Sequence, residues 1–404
     1  MKKFLSLLLS ACMIFSLVAC GNGNTENSGT NDGNTSSSET GDTFILGVQQ
    51  PLSGDNAVAG QIAVNAIELF VKIANENGGW NGKQIETVVY DDQSSPEEAV
   101  KVANRLIADE ADAVIASLLS SNVLASAGYL NEAGILTFGI GTSPTWMQQG
   151  WEHVYRACHS SDLVIPSLAD KMAELEMETV AIFKGEDDSS VSGYDTMLPE
   201  LESRNIEVVS TTTYTTGDTD FSGQIAAMID SGADCIYMST QGTILASFMK
   251  QLRSFGYEGL VFSKENFTTD QLEVAGENAN GYIFASAYVT YADVSECPND
   301  MWTEMYNLYY EEYGEYPAQD NAFRAWDSML VLQEAIRLAG STETADIEAA
   351  IETISGLETL AGTVDYTDGT REGLHTASCY AVENGKFIQV DTWIESGGAD
   401  MYLN

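Results

Sequence analysis

QIETVVYDDQSSPEEAVKVANRLIADE, residues 84–110, changes its apolar pattern in the middle. Ile85 to Tyr90 is a short β-rich run, and Pro96 to Glu110 carries apolar residues at helical spacing. Polar residues from Asp91 to Ser95 separate the two. The pattern predicts a strand, a tight turn and a helix. Ser95 fits an N-cap, Pro96 the first helical position, and Glu98 the spacing of a capping box. Glu97 and Glu98 also suit the positive end of a helix. Asp91 and Asp92 are therefore expected to end the strand and shape the turn, not to hold a metal or move protons.

The same alternation runs outward in both directions. FILGVQQ (44–50) reads as a strand, and the stretch from Ala57 as a long amphipathic helix closed by Gly78-Gly79. ADAVIA and ILTFGI read as strands flanking a helix that opens at Ser120. The pattern restarts at ETVAIF (178–183) and runs through strands at 206–214, 233–238 and 259–263. Strands alternating with helices predict parallel sheets covered on both faces. EADAVIASLLSSN (110–122) and GADCIYMSTQGT (232–243) echo each other, each a buried strand followed by a small polar loop. After residue 290 the chain turns helical, with Trp302, Tyr306, Phe323 and Trp326 expected in a core. ENGKF (383–387) signals a hairpin near the C-terminus.

The first twenty residues stand outside this pattern. Two lysines, an apolar run from Phe4 to Val18, then Ala19 and Cys20 form a signal peptide. Leu17-Val18-Ala19-Cys20 resembles a lipobox, which makes Cys20 the expected lipid-attachment residue. Residues 21–42 are rich in Gly, Asn, Ser and Thr and are expected to be a flexible tether. No later stretch is expected to approach the length of a transmembrane helix, so none is expected to span a membrane. The remaining stretch, about 360 residues, exceeds one compact core and predicts two domains. A net charge of −43 argues against nucleic acid as a partner. Cys158, Cys235, Cys297 and Cys379 are far apart and lack metal-ligand spacing, so two disulfides or free thiols both fit.

No HExxH, CxxC, P-loop or GxSxG pattern is present, so neither a metal, a cofactor nor an enzyme is expected. GIGTSP (139–144) lacks the third glycine of a dinucleotide loop. Ligands of open α/β sheets bind beyond the carboxyl ends of the strands. Three such ends carry small hydroxyl residues: Ser120 and Ser121; Gly141 and Thr142; and Ser239 and Thr240 next to Gln241. Backbone N–H groups at those ends suit a carboxylate. Glu265, after the strand GLVFS, could meet an ammonium.

NENGGWNGKQIETVVYDDQSSPEEAVKVANRLI (75–107) strongly resembles the branched-chain amino-acid-binding proteins of bacterial ABC importers. GVQQPLSG (47–54) is similar to their opening strand and turn, and residues 117–146 to their ligand-binding segment. The resemblance implies a type I periplasmic-binding fold: two doubly wound α/β lobes with three hinge crossings. The first lobe would comprise 43–161 and 290–362, the second 162–289 and 363–404. It further implies that Ser120, Ser121, Gly141, Thr142 and Glu265 contact the ligand, with Trp146 and Gln241 as lining residues. Gln241 stands near where that family has an aromatic side chain, so a more polar pocket is expected. The implied partners are a small-molecule ligand, an amino acid by resemblance, and a membrane permease with ATPase subunits. The implied place is the outer face of the cell membrane. A ligand-sensing module, or an importer receptor for an amide, urea-like or aromatic compound, are the alternatives.

Overall fold

A computed structural model describes residues 43–375 and 377–403. The leader at 1–20, Cys20 and the tether at 21–42 lie outside the described residues. Five strands, β1 (Phe44–Gln50), β2 (Ile85–Asp91), β3 (Ala113–Ala116), β4 (Leu136–Gly139) and β5 (Val154–Tyr155), pair in parallel in the order β2-β1-β3-β4-β5. Helices α1 (Ala57–Glu76), α2 (Pro96–Ala108) and α3 (Ser120–Glu132) make the crossovers, and a 3-10 turn at Pro144–Gln149 leads into β5. The chain then enters α4 (Ser161–Glu174) and repeats the plan with β6 (Thr179–Lys184), α5 (Asp188–Ser203), β7 (Glu207–Thr213), α6 (Ser222–Asp230), β8 (Cys235–Ser239), α7 (Leu245–Ser254), β9 (Val261–Ser263), α8 (Thr269–Ala275) and β10 (Tyr282–Ser286). These strands are again parallel, in the order β7-β6-β8-β9-β10. Both sheets thus follow the order 2-1-3-4-5, and the two echoing segments hold the same third place, as β3 and β8.

The chain returns to the first sheet with α9 (Asp300–Tyr313), α10 (Asn321–Ala339), α11 (Thr344–Ile351) and the hairpin β11 (Ser355–Thr359)–β12 (Gly362–Asp365). It ends on the second sheet with β13 (Ser378–Glu383), β14 (Lys386–Gln389) and α12 (Val390–Glu395). β13 adds antiparallel to β10, and β14 follows it. Asn384 (φ 52°) and Gly385 (φ 72°) turn that hairpin in the left-handed conformation a two-residue loop requires. The third passage between sheets was expected at 362. Val364, Tyr366 and Leu374 pack in the first sheet's core, so the passage comes after Leu374.

Strand periodicity explains the four cores. Ala113 and Ile115 face α1 and α10, while Val114 and Ala116 face α2 and α3. In the second sheet Val180 and Ile182 face one way, Ala181 and Phe183 the other. A strand buried on both faces needs apolar residues at every position, which is why these read as continuous runs. Contrary to expectation, α1 is long and apolar enough to cross a membrane by length and composition. Ten of its residues, from Gly60 to Ala74, are buried, and Phe70 meets Trp326 of α10 edge-on at 5.0 Å. Its apolar character is spent inside the fold.

The 84–110 segment folds as strand, turn and helix. Ser95 is extended and its Oγ accepts the Glu98 N–H at 3.5 Å, with Pro96 at the first helical position. The capping box stays half-formed. The Ser95 N–H already donates to the Asp92 carbonyl (2.9 Å), and the Glu98 carboxylate pairs with Lys101 instead (2.7 Å). The Asp91 carboxylate accepts from the backbone of Leu52 (2.8 Å), Ser53 (3.2 Å) and Gln93 (2.7 Å) and from the Ser53 hydroxyl (2.6 Å). Burial would raise its pKa, but these donors hold it below the usual range. Asp92 is fully buried, accepts from Gln49 and Ser94, and is pushed up by desolvation. Asp91 ties the loop after β1 to the turn after β2, and Asp92 ties that turn to the end of β1 itself. Cys158, Cys235, Cys297 and Cys379 are free thiols.

Candidate functional site

In a sheet of order 2-1-3-4-5 the crossovers after strands 1 and 3 leave in opposite directions, opening a crevice at the carboxyl edge. The two sheets turn these crevices toward each other. Between them lies a cleft of about 310 Å³. The first sheet contributes Asp55 and Asn56 after β1, Leu118 to Ser121 after β3, and Thr142 after β4. The second contributes Asp187 to Ser189 after β6, Gln241 to Thr243 after β8, and Glu265 to Thr268 after β9. Thr290, from the second passage, and Asp320, Asn321 and Arg324, from the start of α10, also line it, as do Val58 and Ala59 of α1, Gln271 of α8 and Gln319.

Ser120 opens α3, whose first turn no side chain caps. An uncapped helix start is attractive to an anion. The Ser120 Oγ accepts the Ser143 N–H at 3.0 Å, which fixes the next loop against it. Gly141 makes that approach feasible: a Cβ there would lie 2.8 Å from the Ser120 Oγ and 3.0 Å from its Cα. Gly139 has a parallel role, since its Cβ would meet the Trp146 ring at 2.7 Å. The Gly139-x-Gly141 spacing therefore serves close packing in two directions.

Arg156 supports this loop from below. It is fully buried, pairs with Glu372 (2.7 Å), donates to the carbonyls of Gly141 (3.4 Å) and Ser143 (2.9 Å), and lies 4.6 Å over the Trp146 ring. Trp146 was expected to line the ligand. It is instead fully buried in the core formed with α2 and α3 and is absent from the cleft wall. Gly141 likewise sits behind Ser120 and does not reach the wall. Ser120, Ser121, Thr142, Gln241 and Glu265 do line the cleft together.

Glu265 is held by Lys264, whose ammonium lies 2.5 Å from Oε1 and 2.9 Å from the Ser189 Oγ. Lys264 is almost fully buried, and its alkyl chain crosses α5 where Gly193 has no Cβ to obstruct it. Glu265 Oε2 points toward Gly242. The carboxylate is therefore anchored through one oxygen and offers the other.

Several wall residues escaped the sequence reading. α5 begins at Asp188, several residues earlier than expected, with the Asp187 carboxylate capping it through the Ser190 N–H (3.0 Å) and Oγ (2.5 Å). The Asp after a strand, three residues before Ser190, was the available signal. Asp188 Oδ2 is shielded from water and has no hydrogen-bond partner among the described residues. Burial and neighbouring Asp187 raise its pKa. Asp320 and Arg324 pair at 2.5 Å one helical turn apart, both largely buried. Burial, the largest influence, would lower the Arg324 pKa, but the Asp320 carboxylate together with Cys158 and Glu265 raises it above the usual value. Two opposite charges four residues apart at the start of α10 could have flagged this pair. His159, just before α4, is buried against Tyr288, 5.8 Å between rings. Desolvation first, then Arg324, Arg156 and Lys264, keep its pKa well below the usual value, so it stays neutral.

Twin parallel sheets facing each other across a polar cleft define the architecture of a solute-binding protein. The family model described as periplasmic binding protein matches residues 44–386, and the chain belongs to that family. Its members are substrate-binding components of ABC transporters that act outside the cytoplasm, not enzymes. The Leu/Ile/Val-binding protein homolog 3 of Brucella melitensis is 24% identical over 362 residues, covering 86% of this chain and 94% of its own. The LivJ substrate-binding protein of Streptococcus pneumoniae, solved with isoleucine, superposes with a TM-score of 0.75 at 22% identity, over 86% and 98% of the chains. A solute-binding protein from R. palustris, solved with benzoate, gives 0.76 at 19% identity, over 86% and 96%. At these identities the two structures share the fold.

Proposed function

We propose that the chain is a lipid-anchored receptor that captures an amino acid outside the cell and hands it to a membrane permease driven by ATPase subunits. Cys20 would carry the lipid and residues 21–42 would tether the binding unit to the outer face of the membrane. The two sheets, with their helices, would close as lobes about the three passages of chain near 158–161, 286–290 and 374–378. The observation that carries the amino-acid reading is the pairing of opposite chemistries on facing walls. Ser120, Ser121 and Thr142 surround an uncapped helix start suited to a carboxylate, and Glu265 offers an anchored oxygen suited to an ammonium. The names of the Leu/Ile/Val-binding relatives support an amino acid as the ligand class.

Calorimetric titration of the protein with each of the twenty amino acids tests it. At least one should bind in the micromolar range or tighter, and Glu265→Ala should weaken that ligand at least tenfold. Binding of none below millimolar, with Glu265→Ala without effect on any ligand, would sink the amino-acid reading.

A further inference from the structure

We propose that the cleft selects an amino acid whose side chain ends in a positive charge, and that Asp188 at the head of α5 recognises that charge. The proposal rests on the amino-acid reading above and narrows it. An aliphatic side chain wants an apolar or aromatic socket. Among the described residues on the cleft wall there is no tyrosine or tryptophan, and the apolar side chains Val58, Ala59, Leu118, Leu119 and Phe267 are outnumbered by polar and charged ones. Charge points the same way. The Asp320 carboxylate is paired with Arg324, and Glu265 with Lys264. Asp55, Asp187 and Asp188 line the same cleft and have no cation among their contacts with the described residues. A ligand that is only a zwitterion brings no net charge to compensate them.

Asp188 is placed to meet an extended side chain. Its neighbour Ser189 bonds Lys264, which bonds Glu265, so Asp188 stands beside the expected ammonium subsite. Ser192, one turn along α5, lies 3.3 Å from the Ser143 hydroxyl, so the head of α5 also borders the expected carboxylate subsite. A second polar group in the lining is left unanswered by the protein. Thr290 is 2% exposed, lines the cleft, and its Oγ1 has no partner among the described residues. A buried hydroxyl without a partner is costly, and a ligand N–H would satisfy it.

Matched pairs of ligands isolate the charge: arginine against citrulline, and lysine against norleucine. Calorimetry at low salt should show the cationic member binding at least tenfold tighter in one pair. That preference should shrink as salt rises, and Asp188→Asn, which leaves the Asp187 cap in place, should abolish most of it. Circular-dichroism melting confirms that the variant folds. If in both pairs the neutral member binds as tightly as its cationic counterpart, or leucine binds as tightly as both arginine and lysine, the charge proposal fails and the amino-acid reading stands. An undiminished preference in Asp188→Asn overturns the role of Asp188. Binding of no amino acid overturns both readings together.

Discussion

Gly141 shows how a residue that never touches the cleft wall can set the site. Its missing Cβ lets Ser143 donate to the Ser120 hydroxyl, and Arg156 grips the carbonyls on either side of Thr142. Thr142 is thereby held at the wall by its neighbours' backbone. Gly141→Ala would put a methyl 2.8 Å from the Ser120 hydroxyl and 3.0 Å from its Cα, so rotating the hydroxyl away would still leave the methyl tight against the Ser120 backbone. Overpacking of this kind costs about 1–3 kcal/mol. The strain falls on the loop that carries Thr142 and on Ser120, so the expected outcome is a ligand affinity reduced about tenfold or more, with the melting temperature lowered by only a few degrees. Calorimetry alongside thermal melting separates the two effects. Unchanged affinity would show that the loop is not a ligand contact.

Elements were legible wherever local pattern alone dictates them. β1 matches its predicted stretch residue for residue, because a strand covered on both faces leaves no polar break inside it. The turn at 91–95 was equally clear, since cap, proline and acids agree at every position. Ser95→Ala tests that agreement. Its cap bond is long at 3.5 Å, so the loss should be about 0.5–1 kcal/mol, near the lower end for such caps. Urea unfolding reads it, and a loss near zero would assign the start of α2 to Pro96 and packing alone. What stayed illegible depends on contacts far along the chain. Helix α4 contains Pro166, which obscures its period. The Gly139–Trp146 contact and the Arg156 cradle join segments that only folding brings together, so Trp146 read as a ligand aromatic when it is a core residue. The five cleft residues that were legible share a rule: each follows a strand at its carboxyl edge. Arg324, Asp320 and Thr290 come from the returning chain, where that rule is silent.

At the scale of the whole molecule the two sheets are held in register by the passages between them, and Asp327 on α10 sits at one of these. Its carboxylate accepts the Tyr288 hydroxyl (3.0 Å) from the second passage and the N–H groups of Leu360 and Ala361 (both 2.9 Å) from the β11–β12 turn. Desolvation outweighs those donors and raises its pKa to about 6. The unfolded chain would release this proton near pH 3.9. Below that pH both states hold the proton and it does not affect stability. As pH rises from about 4 to 6 the unfolded state ionises first, so the fold loses up to about 3 kcal/mol from this group, and the loss is constant above that window. The −43 charge acts in the same direction, since ionising surface carboxylates increases self-repulsion. Comparison with Asp327→Asn removes that shared background. Asparagine cannot ionise and can accept with only one oxygen, so the variant should be the less stable protein at pH 4.5. The gap between the two melting temperatures should then narrow steadily up to about pH 6.5. A gap independent of pH would mean that Asp327 is ionised throughout, with its three donors outweighing burial, and that the second passage is tied to the β11–β12 turn by a charged acceptor.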